Sequence, residues 1–145
     1  MAAGRHELAE LPHWPDGTVA ILSTGGGEPH AIPVSTAVRA SGRRALIALA
    51  LRRESLARLR AEPRCGLTIV CAGVACTAHG RASIVQEPMA ISDRVAAVAI
   101  EVETIQDHDQ PRFAIEEGVR WRWTDQEAER RDGEIHAALV ALARG

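Results

Sequence analysis

Between Ala45 and Val70 the chain reads ALIALALRRESLARLRAEPRCGLTIV, five arginines set between two apolar runs. Guanidinium groups are fork-shaped donors that make bidentate, charge-assisted hydrogen bonds to phosphate oxygens. The run Ala45–Leu51 suits a buried strand, and Arg52-Arg53-Glu54-Ser55 then delivers two guanidiniums and a hydroxyl where a helix begins. A helix start carries unpaired N–H groups and a positive dipole, so a phosphate there is stabilised twice. Phosphate contact is the chemistry expected of Arg52, Arg53 and Ser55. The competing reading is a solvated helix start, with the arginines paired to Glu54 or Glu62 and Ser55 only opening the helix. Arg58 and Arg60 read as surface residues.

Other clusters offer less. All seventeen basic residues are arginine, which rules out a Schiff-base lysine and a Walker-type lysine. Asparagine and tyrosine are also absent, removing amide readout of adenine by Asn and proton donation by a phenol. Cys71, Cys76 and His79 form C-x4-C-x2-H, which is not a zinc spacing, and no fourth ligand is apparent, so no metal is expected. His30 and His79 read as hydrogen-bonded strand histidines. Cys65, Cys71 and Cys76 read as free thiols, with Cys71 and Cys76 flanking a turn at Ala72–Ala75. Gly25-Gly26-Gly27 is a hairpin turn rather than a phosphate loop, since no GK[ST] follows. Glu101 and Glu103 alternate on one solvated face and do not form an acid/base pair across a cleft. If the chain catalyses a reaction, a bound cofactor is expected to carry the chemistry.

The elements that must position these residues follow from periodicity. Length 145, 46% hydrophobic and 25% charged residues and a net charge of −2 describe one globular domain, residues 1–145, and argue against a nucleic-acid or membrane-surface binder. The first residues, MAAGRHELAELPHW, lack a signal-peptide core and no apolar run approaches twenty residues, so a soluble cytoplasmic protein is expected. Strands are expected at Thr18–Thr24, His30–Val38, Ala45–Leu51, Arg64–Cys71, Cys76–Gln86, Ala99–Ile105 and Val119–Trp123, with a turn at Ala40–Arg43. Helices are expected at Ser55–Glu62, at Pro88–Ala96, and after Thr124 or Asp125, where Ile135, Leu139 and Leu142 make a stripe. Pro33 removes a ladder donor and marks an edge, a bulge or a ligand's approach. The fold class is mainly β (α+β): six or seven strands, mostly antiparallel by hairpin logic, in a small barrel with short helices and a C-terminal helix.

Three motifs in order, Gly27-Glu28-Pro29-His30-Ala31-Ile32-Pro33-Val34, then Arg53-Glu54-Ser55, then Leu59-Arg60-Ala61-Glu62-Pro63-Arg64-Cys65-Gly66-Leu67, resemble the pyridoxamine 5′-phosphate oxidase-like FMN-binding split β-barrel family. The resemblance spans roughly residues 18–85. It implies FMN in a groove between the subunits of a homodimer, with the isoalloxazine against the backbone of Ile32, Pro33, Val34, Ser35 and Thr36. It also implies a phosphate site at Arg52, Arg53 and Ser55, although the lysine usual in the family is impossible here. Trp121, within Arg120-Trp121-Arg122-Trp123, is the candidate to close the site by stacking; a core or interface role competes with that reading. The implied activity is two-electron redox chemistry on a small organic substrate. The alternatives are a reductase of the same fold using the deazaflavin coenzyme F-420 and a non-catalytic flavin- or haem-binding module.

Overall fold

A computed structural model describes residues 6–145; Met1–Arg5, the start of the stretch read above as lacking a signal peptide, lie outside the described residues. Seven strands and two helices follow in the order β1 (Ala20–Thr24), β2 (His30–Val34), β3 (Val38–Ser41), β4 (Arg44–Ala50), α1 (Glu54–Ala61), β5 (Arg64–Cys71), β6 (Val74–Gln86), β7 (Val95–Asp107) and α2 (Gln126–Arg144). They form one antiparallel sheet in the order β2-β1-β5-β6-β7-β4-β3. β2 and β3 therefore lie at opposite edges, yet only Ser35, Thr36 and Ala37 join them. A flat sheet would hold those edges six strand spacings apart, about 29 Å. Four residue steps reach at most about 14 Å. The sheet must curl until its edges approach, which makes it the expected barrel.

The barrel interior takes alternate residues of each strand. Ala20 and Leu22, Ala45, Ile47 and Leu49, Leu67 and Ile69, and Ala96, Val98 and Ile100 form one buried cluster, closed at an end by Leu56 and Leu59 of α1. β4 and β7 are covered on their outer face as well. There Leu46, Ala97 and Ala99 meet Met89 and the fully buried Leu139 of α2. This double coverage explains why Ala45–Leu51 and Val95–Ile100 read as continuous apolar runs instead of alternating. Small residues at 97 and 99 leave room for α2, whose first turn is capped by Asp125 accepting from the Glu127 N–H at 3.0 Å.

Four sequence expectations are corrected. The stretch His30–Val38 is not one strand: it breaks at Ser35–Ala37, where the chain crosses from one sheet edge to the other, and Ala40 and Ser41 belong to β3. The Thr36 hydroxyl accepts from the Ala48 N–H at 3.1 Å, continuing the β3–β4 register that pairs Val38 with Leu46. Pro88–Ala96 is not a helix. Met89 N–H donates to the Val95 carbonyl at 2.9 Å, and burial of the Met89 side chain together with the pairing of Val95 to Ala50 outweighs a short helix. Val119–Trp123 is not a strand and joins no sheet edge: the chain leading into it is held over the β5–β6 turn, where the Gly73 N–H donates to the Ile115 carbonyl and a Cβ on Gly118 would stand 2.5 Å from the Val70 carbonyl oxygen, and Trp121 then bonds the Gly17 carbonyl. Finally, β7 begins at Val95, four residues before the expected Ala99.

Candidate cofactor site

The site residues gather where the edge strand β2 meets the start of α1. β2 pairs only with β1, so its other edge carries unpaired backbone groups, and Pro33, opposite Ile21, supplies no N–H. Along β2 the side chains of Ala31 and Pro33 are exposed, Val34 is buried, and His30 and Ile32 are intermediate. An exposed backbone edge with a proline in it is a surface that a flat ring can approach closely.

His30 connects this strand to the arginine turn. Its Nε2 lies 3.2 Å from the hydroxyl of Ser55, which is buried at 1% exposure, and its Nδ1 lies 3.9 Å from Glu54. Arg58 reaches back from α1 to the Glu28 carbonyl at 2.8 Å and to Glu54 at 2.5 Å. That guanidinium holds the Glu54 carboxyl below the usual carboxylate range. The pairing of Arg52 or Arg53 with Glu54 or Glu62, the competing reading, is not formed: Glu54 pairs with Arg58 and Glu62 with Arg64. Ser55 faces inward, and the residue before α1, Arg53, is extended with no side-chain cap on the helix.

Arg52 opens into a pocket lined by Ala50, Leu51, Asp93 and Arg94. Arg94 is brought there by the β4–β7 ladder, in which Ala50 pairs with Val95, and by the Leu51 N–H donating to the Arg94 carbonyl at 2.9 Å. Neither the Arg52 nor the Arg94 guanidinium is in an ion pair among the described residues. Two exposed guanidiniums converging on a pocket with one carboxylate favour an anion. His30 was visible in the sequence only as a strand histidine. Arg94 carried no local signal, since its role depends on a pairing between segments forty residues apart in sequence.

The remaining candidates fall elsewhere. Trp121 donates from Nε1 to the Gly17 carbonyl at 2.9 Å and packs edge-on against Trp123, with centroids 5.2 Å apart at 75°. Gly17 lies three residues before Ala20, which pairs with Val34 at the end of β2. No hydrogen bond ties Trp121 to Ile32–Thr36 among the described residues. His79, expected like His30 to be a hydrogen-bonded strand histidine, is instead exposed on β6 with no side-chain hydrogen bond among the described residues. Cys65, Cys71 and Cys76 are buried and unpaired by disulfides, and burial pushes the Cys65 and Cys76 thiols up to about 11. Such thiols are poor nucleophiles. No group of three potential ligands is placed to hold a metal among the described residues. Nor is any helix among them long and apolar enough to cross a membrane.

No family model matches the sequence, and no curated protein is significantly similar to it. Solved structures are similar in fold. A pyridoxamine 5′-phosphate oxidase candidate from Listeria innocua superposes with a TM-score of 0.53 at 17% identity, over 64% of this chain and 90% of that one. An F420 reductase gives 0.54 at 12% identity, over 62% and 89%. A FAD-binding protein from Mesorhizobium loti gives 0.51 at 15% identity, over 63% and 87%. The chain has the split β-barrel fold of these structures, the fold that the order of its motifs implied.

Proposed function

We propose that this chain binds a flavin carrying a 5′-phosphate, FMN in its simplest form, and acts as an oxidoreductase on a small organic substrate as a cytoplasmic homodimer. The observation that carries the proposal is the His30–Ser55 contact. It holds the start of α1 beside β2, which supports one ligand with a planar ring at Ile32–Thr36 and a phosphate at Arg52, Arg53 and Arg94. The residues fit the group. Unpaired backbone on β2 would meet the ring, and the uncommitted guanidiniums of Arg52 and Arg94 the phosphate. Ser55 supports the turn from beneath, with its hydroxyl held by His30. Bound there, the flavin would supply two-electron transfer; the chain's own groups bind and orient it.

Retention is the simplest test. Protein mixed with FMN and desalted is expected to keep flavin absorption in proportion to protein, and absence of saturable binding below about millimolar FMN overturns the reading. Use of coenzyme F-420 in the same groove is the second reading, drawn from the likeness to an F420 reductase. Oxidation of reduced F-420 by substrate, with FMN neither retained nor needed, distinguishes it. Flavin that is retained but not reduced by NADPH or NADH marks a non-catalytic binder.

A further inference from the structure

Arg94 borders more than the pocket at Arg52. Arg94 also lines a neighbouring pocket of about 440 Å³ between α2 and the loop before β7, whose walls include Ile91, Trp123, Arg131 and Ile135. The two pockets therefore share one guanidinium. Trp123 is half-buried and packs edge-on against Trp121. Arg130, in the same wall, is spent on Glu127 and Glu134, whereas Arg131 is in no ion pair among the described residues. Asp132, also in the wall, presents a carboxylate that can accept from ribose hydroxyls or an exocyclic amine.

A ligand filling both pockets gains an anion's contacts at Arg94 and, beyond it, a partly apolar wall at Ile91, Trp123 and Ile135 set among charged side chains. The acidic tail of coenzyme F-420 would meet, beyond Arg94, only Arg131 as an uncommitted arginine, with two isoleucines, an indole and the carboxylates of Asp132 and Glu134, a poor match in charge. We infer that the second pocket receives the adenosine half of a dinucleotide flavin, the pyrophosphate running along Arg94 and the purine lying on Trp123, so that the chain prefers FAD to FMN. The inference rests on the phosphate reading of Arg52 and Arg94 above.

Three ligands separate the two claims. FAD is expected to bind about tenfold or more tightly than FMN, as stacking of one base on an aromatic ring implies. Trp123→Ala is expected to remove that preference and leave FMN affinity unchanged, and Trp123→Phe, which keeps an aromatic face, to preserve most of it. Equal affinity for FAD and FMN in the unaltered protein overturns the inference, as does a Trp123→Ala variant that weakens both flavins alike. If neither flavin binds, the flavin reading falls and ADP alone decides the pocket. Binding of ADP that Trp123→Ala abolishes and Trp123→Phe retains upholds a purine site, and no ADP binding removes it.

Discussion

At the residue scale, a few side chains do work that their type alone does not reveal. Thr36 lies in the segment read as cofactor-facing, yet its hydroxyl serves the β4 backbone by accepting from the Ala48 N–H. Thr36→Val keeps the shape and removes the acceptor. A loss of about 1 kcal/mol in urea-unfolding free energy is expected, with flavin retention intact. The cysteines set an alkaline limit. Cys65 and Cys76 have folded values raised from 9.0 to about 11, so above about pH 9 the unfolded chain releases thiol protons that the folded chain keeps. Their contribution to stability is full below 9 and is lost as pH rises towards 11. The urea midpoint is expected to fall between about pH 8 and about pH 10.5, and by less in Cys65→Ala/Cys76→Ala; an identical fall in that variant would assign it to other groups. Arg52, Arg53 and Ser55 could be singled out in the sequence because they fall within four residues directly after an apolar run. His30 and Arg94 could not, because their partners are set by tertiary pairing.

At the element scale, strands buried on both faces, such as β4, and the tight hairpin between β5 and β6 could be read directly from sequence. Elements whose form depends on a neighbour could not. The segment Val119–Trp123 alternates like a strand but finds no sheet edge, and Pro88–Ala96 has a helical opening but must return Val95 to β4. α2 is the opposite case, since its apolar stripe and its Asp125 cap were both visible. Its docking rests on Leu139, fully buried against Leu46, Ala97 and Ala99. Leu139→Ala is expected to cost about 2–5 kcal/mol, because the surrounding alanines cannot collapse into the space. Chemical denaturation checks this, and a loss under about 1 kcal/mol would mean that α2 contributes little to the sheet. The helix also walls the pocket containing Trp123, so its docking and the ligand site are coupled.

At the scale of the whole molecule, closure of the sheet brings the far ends of the chain's β region to one place. The three-residue link Ser35–Ala37 forces the curl, the curl sets β2 near the end of β4, and the β4–β7 ladder adds Arg94. A net charge of −2 makes this cluster a local basic feature on an otherwise mildly acidic protein. Ile84 and Val85 are adjacent and exposed on β6, apolar surface of the kind the proposed homodimer would cover. Sedimentation is expected to give twice the 15.6 kDa chain mass, and a monomer at all concentrations would remove the homodimer from the proposal. The central claim, that the barrel edge and the arginine pocket hold the two ends of one flavin phosphate, is tested most directly by the affinity ratio of FMN to riboflavin, measured by flavin fluorescence in the unaltered protein and in Arg52→Ala/Arg94→Ala. FMN is expected to bind about ten- to a hundredfold more tightly than riboflavin, and the double variant to lower FMN to the level of riboflavin while leaving riboflavin itself unchanged. A ratio near one in the unaltered protein, or a ratio that the double variant leaves intact, would contradict it.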